Sequence, residues 1–250
     1  MQETSALYKQ ILEAEPHWFE TKLVLEEHAS LMDESEPTFD VTESMLRSVK
    51  RDRPGVGSEY PSVGNALSAS VSVEMDQLDW ILDPMEKIEV YVRAVGLVNG
   101  VEETSEWIPQ GTYFMDTREI TGYGTLIINA YDAMLKTEKM YPDTNHEWPY
   151  PDIDVLAEIA QDIEVTLDPK TIDIVTASLM IELPADYTER EVLCMIASAY
   201  AGNFVITDRN TLLLVPLYGT DEENITGDYL ADDDGVTALV FGDEGWFILV

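Results

Sequence analysis

Residues Glu106–Leu135 read EWIPQGTYFMDTREITGYGTLIINAYDAML. Thr112–Arg118 and Thr125–Tyr131 are rich in Thr, Tyr, Phe, Met and Ile, and Gly122 and Gly124 lie between them. Two such runs about a short glycine-bearing turn predict a β-hairpin. The residues after Tyr131 read as the start of a helix. Nothing in the stretch is chemically reactive, so it speaks for architecture.

Working outward, the neighbouring runs have the same character. Leu67, Ala69, Val71 and Val73 alternate with Ser68, Ser70, Ser72 and Glu74. Ile88, Val90, Val92 and Ala94 alternate with Glu89, Tyr91 and Arg93. Period-two alternation predicts half-buried strands. Trp18–Glu26 reads as a strand and Val41–Val49 as a weaker one. A short helix is expected over Ser5–Glu13, capped by Ser5 and ended by Pro16. Met32–Phe39 and Gly55–Gly64 read as loops. Antiparallel strands thus dominate to about residue 131 and predict a barrel or a sandwich.

The pattern changes after Tyr141, where Tyr141–Pro151 holds three prolines and reads as a linker. Asp152 is expected to cap a helix carrying Ile153, Leu156, Ile159, Ala160 and Ile163. Thr188 and Glu191 form a capping box ahead of Val192, Leu193, Ile196, Ala197 and Tyr200, with Gly202 at the far end. Phe204–Thr207 and Thr211–Leu217 form a hairpin across Asp208–Asn210. Thr237–Phe241 and Trp246–Val250 read as closing strands, and the apolar end reads as a strand cut from a longer chain or one that docks on a partner. The fold class is therefore α+β, mainly β: an antiparallel β-barrel domain (1–142), a smaller α+β domain of two helices and a hairpin (143–219), and return strands (220–250) that complete the barrel or are truncated.

Bulk properties narrow the function. The 250 residues are 45% hydrophobic, enough for a sizeable core. With 49 acids against 14 bases, the formal charge is −35. Such a chain repels nucleic acid and anionic membranes; a halophilic origin would explain the acidity equally well. One cysteine, Cys194, permits no intrachain disulfide. The N-terminus has no signal-peptide pattern, and no apolar run approaches the roughly 18 residues of a membrane helix.

Candidate chemistry is sparse. Cys194 sits in a helix predicted to be buried and reads as an inert thiol. His17, His28 and His146 have no metal-ligand spacing. Asp232–Gly235 looks briefly like a calcium loop, but the frame anchored on Gly235 puts Leu230 and Phe241 at its first and last positions, so a turn is expected instead. Gly55, Gly57 and Gly64 make no phosphate loop, since Tyr60 stands where a third glycine would be. With 49 acids, chance carboxylate pairs carry no signal for glycoside hydrolysis. Arg47, Lys50, Arg51 and Arg53 form the one basic cluster, read as a solvated loop or as a contact between subunits. Catalytic, cofactor-binding and metal residues are expected to be none, with no enzymatic activity.

Several segments resemble a known family. SVGNALSASVSVEM (Ser62–Met75), EKIEVYVRAV (Glu86–Val95), SEWIPQGTYFMDTRE (Ser105–Glu119) and LIINAYDAMLKTE (Leu126–Glu138) are similar to the N-terminal region of tail proteins from siphophages and prophages of Gram-positive bacteria. These are the baseplate hub, or tail-associated, proteins related to the hub of contractile tails. REVLCMIASAYAGNFVITDRNTLLLVPLYG (Arg190–Gly219) resembles that family's helix-then-hairpin unit. The resemblance implies a virion structural protein at the tail tip, assembled in the host cytoplasm. It implies a β-barrel domain that trimerises into a ring closing the distal end of the tail tube. Its partners would be the distal tail protein and the tube, with the tape-measure protein a further one, and neither sequence-specific nucleic acid nor membrane. Two alternatives stand beside it. A carbohydrate- or receptor-binding module would use Trp18, Trp80, Trp107, Trp148 and Trp246 for stacking, and a cell-wall hydrolase component would use carboxylates alone.

Overall fold

The structure, a computed structural model, describes residues 4–26, 38–42, 44–53, 62–78, 82–122, 124–142, 147–175, 179–182, 184, 186–217, 240–241 and 246–247. It forms two compact units, Met1–Val215 and Pro216–Val250.

The first unit opens with helix α1 (Ala6–Glu13), capped by the Ser5 hydroxyl, which accepts from the Tyr8 N–H. Strands β1 (His17–Glu26), β2 (Thr38–Val41), β3 (Leu46–Asp52), β4 (Asn65–Leu67), β5 (Ser70–Asp76), β6 (Lys87–Val98), β7 (Val101–Thr104), β8 (Ile108–Thr121) and β9 (Thr125–Tyr131) come next. All but β4 join one sheet, ordered β2-β1-β6-β8-β9-β5-β3, with β7 on the far end of β6. Every described pairing in it is antiparallel.

The hairpin read from the opening stretch is present: β8 and β9 pair antiparallel from Phe114↔Tyr131 to Thr121↔Thr125, with a register shift between Met115 and Thr117. The expected strand over Val41–Val49 is instead divided. Thr42 and Ser44 favour a turn, and the Thr42 carbonyl accepts from both Met45 and Leu46 N–H groups. The strand before this turn pairs with β1 and the strand after it with β5.

That short link bends the whole sheet. Its edge strands, β2 and β3, are separated by Thr42–Met45 alone. Five Cα steps reach at most about 19 Å, whereas seven strands laid flat would put the edges about 29 Å apart. The sheet therefore rolls. Its interior agrees, because Leu23 and Leu25 of β1, Val73 of β5, Ile88 of β6, Tyr113 of β8 and Ile128 of β9 share one buried cluster. Leu46 and Val49 of β3 pack against the same cluster. Among the described residues no ladder joins β3 to β1 or β2, and no closed barrel is found.

A second core gathers the α+β elements. After a 3-10 turn (Ala133–Glu138) come β10 (Tyr150–Pro151), α2 (Asp152–Asp162), β11 (Thr166–Leu167), α3 (Pro169–Ile174), β12 (Met180–Ile181), α4 (Glu189–Ala199), β13 (Gly202–Ile206) and β14 (Thr211–Pro216). Leu156 and Ile159 of α2, Leu193 and Ile196 of α4, Phe204 of β13 and Leu214 of β14 are all buried there. The capping box at Thr188 and Glu191 forms as the sequence indicates. Two caps differ from expectation. Asp152 is the first residue of α2 and the cap position is Pro151. At the end of α4, Ala201 rather than Gly202 takes the left-handed backbone, φ 46°, and Gly202 begins β13.

The alternating run from Leu67 to Val73 is split between the two sheets. β5 stays in the rolled sheet, while β4 lies parallel to β13 in a four-stranded sheet ordered β11-β14-β13-β4. Gly64 makes this crossing feasible: its φ is +83°, and a Cβ there would collide with Ser198 of α4. In the Pro216–Val250 unit, β15 (Val240–Phe241) and β16 (Trp246–Phe247) pair antiparallel.

Candidate interaction surfaces

The basic cluster is largely consumed inside the chain. β3 points Arg51 at the end of the rolled sheet, where its guanidinium donates to the Tyr113 hydroxyl and the Gln110 side-chain oxygen, both at 2.8 Å. It also pairs with Asp208 in the β13–β14 turn. Arg53 reaches the same carboxylate at 3.1 Å and donates to the Ile206 carbonyl at 3.0 Å. Arg47 pairs with Asp76 at 2.8 Å. Lys50 has no ion-pair partner among the described residues and is exposed. The cluster is thus not a free loop: it lies on and just beyond β3, and Asp208 holds Arg51 and Arg53. It is a clamp between the two cores. Asp208 lies 157 residues from Arg51 in sequence, so no local signal could have matched them.

The outer face of β1, β6 and β8 holds an aromatic and charged ladder. Arg93 donates to Glu20 at 2.6 Å and stacks 4.4 Å from the Trp107 ring centre. Lys22 lies 5.2 Å from the same ring and 5.4 Å from Tyr91. Both cations therefore occupy a ring the sequence offered as a sugar platform. Tyr91 donates to Glu89 at 2.7 Å. Burial, then that bond, pushes the Tyr91 phenol up to about 12.

Three buried acids carry structural tasks. Asp132 accepts from Ala69 N–H, the Ser68 hydroxyl and Met134 N–H, tying the β4–β5 junction to the 3-10 turn. Burial raises its carboxyl to about 6 against these bonds. Asp152 accepts from the Tyr200 hydroxyl at 2.6 Å, joining α2 to α4. Glu189 is fully buried at the start of α4, and neither carboxyl oxygen meets a donor. Asp162 of α2 faces it and itself pairs with Lys139. Two carboxyl groups can bond each other only by sharing a proton. Burial, then the Asp162 neighbour, pushes Glu189 up to about 8, and Lys139 opposes them.

The other sequence candidates fall apart from one another. Cys194 is half-buried on α4. The His17 ring sits 2.7 Å from the Ala14 carbonyl and edge-on to Phe19. Trp18 is exposed, and Trp148 packs edge-on between Tyr141 and Tyr150. His28, His146, Trp80 and Asp232–Gly235 lie outside the described residues. Among the described residues, no group of three His, Cys, Asp or Glu could hold a metal ion, and no helix is long and apolar enough to cross a membrane.

Two hollows mark the sheet. One of about 390 Å³ lies on the outer face of β3, β5 and β9, floored by Ser70 and Ser72 and walled by Lys50, Asn129 and Tyr131. The other, of about 240 Å³, is lined by Thr21 of β1 and by Leu46–Val49 of β3. It lies where β1 and β3 approach without pairing.

No protein-family model matches the sequence, and no curated protein is significantly similar to it. Several solved structures are weakly similar to this chain. The prophage MuSo2 43 kDa tail protein from Shewanella oneidensis has a TM-score of 0.48 and 11% identity, over 82% of this chain and 57% of that one. Prophage tail protein gp18 from Listeria monocytogenes EGD-e gives 0.48 and 11%, over 85% and 56%. The Francisella PdpA-VgrG complex, lidded, gives 0.46 and 9%, over 84% and 31%. The chain thus spans little more than half of either prophage tail protein. At such identities and scores, the likeness fixes no residue's role.

Proposed function

We propose that this chain is a structural, non-enzymatic part of a bacteriophage or prophage tail, forming a ring-like hub at the distal end of the tail tube. One observation carries the reading. Of the segments that resemble the hub family, Glu86–Val95, Ser105–Glu119, Leu126–Glu138 and the later part of Ser62–Met75 supply β6, β8, β9 and β5, which stand side by side in the rolled sheet. The earlier part of Ser62–Met75 and Arg190–Gly219 supply β4, β13 and β14, which neighbour one another in the second sheet as β14-β13-β4. The resemblance thus falls on neighbouring strands in each of the two sheets rather than on scattered loops.

In this reading residues 1–142 are the hub domain, with the rolled sheet as its barrel, 143–219 the α+β domain and 220–250 the return strands. Three copies surround a lumen at the tail tip and contact the distal tail protein and the tube. A formal charge of −35 per chain suits that place, because DNA slides past an anionic wall without adhering. The same charge opposes assembly at low salt.

Sedimentation velocity of the full chain, at low and at 1 M NaCl, tests the proposal together with capture on purified tail tubes. The expected result is a trimer that strengthens with salt and binds the tube. A strict monomer at high concentration and high salt that also ignores the tube overturns it.

A further inference from the structure

Resting on the ring reading, we infer that the hub closes by inserting the β6–β7 hairpin of one copy into the seam between β1 and β3 of the next. Among the described residues, the seam is a pair of sheet edges with no ladder across it. Among the described residues, β2 pairs with β1 along Leu23–Glu26, and His17–Lys22 pair with β6 alone. β3 pairs with β5 on one side and with nothing described on the other. The hollow lined by Thr21 and Leu46–Val49 places these two edges opposite each other. Unpaired strand edges present rows of N–H and C=O groups that an added strand satisfies.

The seam has a chemical character. Leu46 and Val49 pack toward the sheet's interior, and exposed Arg47 and Lys50 stand on the same strand. An incoming strand therefore needs an apolar side chain on one face and acids on the other.

The β6–β7 hairpin has that make-up. Its turn, Asn99-Gly100, has φ of 55° and 80°, the backbone of a tight type I′ hairpin. Among the described residues, β7 pairs with β6 only. Val101 is 59% exposed and Leu97 38%. Glu102, opposite Leu97 in register, is also exposed. Val101 and Glu102, adjacent in the strand, point to opposite faces. Val101 can thus cover the seam floor while Glu102 meets Lys50. Each copy carries one hairpin and one seam, so the contact is head-to-tail, the geometry from which a ring closes.

A charge swap tests this in the full chain. Lys50→Glu and Glu102→Lys are each expected to weaken self-association by roughly tenfold or more in sedimentation. The chain carrying both changes regains wild-type assembly, because every contact again joins opposite charges. Unchanged thermal melting of the monomers separates this from misfolding, and Val101→Asp, which adds a charge to the apolar face, gives an independent loss. Wild-type chains that form rings while all variants assemble equally well overturn the hairpin contact and leave the hub reading standing. Wild-type chains that stay monomeric under all conditions overturn both.

Discussion

Replacing Glu189 by glutamine is expected to change how stability depends on pH more than stability at acid pH. The carboxyl is fully buried beside Asp162 and is pushed from 4.5 up to about 8. The sign comes from proton counts. Between those two values the folded chain keeps the Glu189 proton and the unfolded chain has lost it. Stability from this group is therefore complete near pH 4.5, falls as pH rises, and levels off above about 8. At about 1.4 kcal/mol per pH unit, the ceiling on the loss is roughly 4–5 kcal/mol. The opposing pull of Lys139, which pairs with Asp162, is already contained in that value. Asp162 is held below its usual value by its bonds to Glu189 and Lys139, so it is ionised in both states across this window and adds no slope there. Glu189→Gln fits the site with a neutral amide that can donate to the Asp162 carboxylate. Urea unfolding at pH 5, 6.5 and 8.5, in enough salt to screen the acidic surface, measures the difference. The two chains should be close in stability at pH 5, and the variant should exceed wild type by a few kcal/mol at pH 8.5. Equal slopes in the two chains would refute the reasoning.

Asp208→Ala leaves Arg51 and Arg53 without their shared carboxylate and is expected to destabilise by about 2–3 kcal/mol in thermal or urea unfolding. Gly111→Ala meets two obstacles, a φ of +122° and a Cβ 3.0 Å from the Tyr113 ring. A loss of about 2–3 kcal/mol is expected, read by the same assay, with the Arg51–Tyr113 contact disturbed as well.

The sequence made most of the strands legible because each has one buried face. Val71, Val73 and Met75 alternate with polar neighbours, as do Ile88 and Val90. The capping box at Thr188 was equally plain, since its partners lie three residues apart. What escaped was decided at long range. The break between β2 and β3 is visible only once each half has a different partner strand. The same holds for the run from Leu67 to Val73, whose alternation is continuous although its two ends enter different sheets. Asp152 resembles a cap in sequence, yet Tyr200, distant along the chain, makes it a buried acceptor. The arginine clamp is the extreme case: four bases in seven residues read as a solvated patch until Asp208 is brought to them.

β4 has a consequence for how this gene could be cut and rejoined. Asn65, Ala66 and Leu67 pair with Asn203, Phe204 and Val205, and the Asn203 side chain accepts from Asn65 and donates to the Ser62 carbonyl. The helical lobe therefore owns a strand encoded some 80 codons before the rest of it begins. A cassette spanning only the later segment would arrive in a new host protein with a raw sheet edge at β13, and would leave an orphaned strand in the old one. Exchange of this lobe between relatives has to carry both pieces, or replace Ser62–Leu67 with a donor that fits.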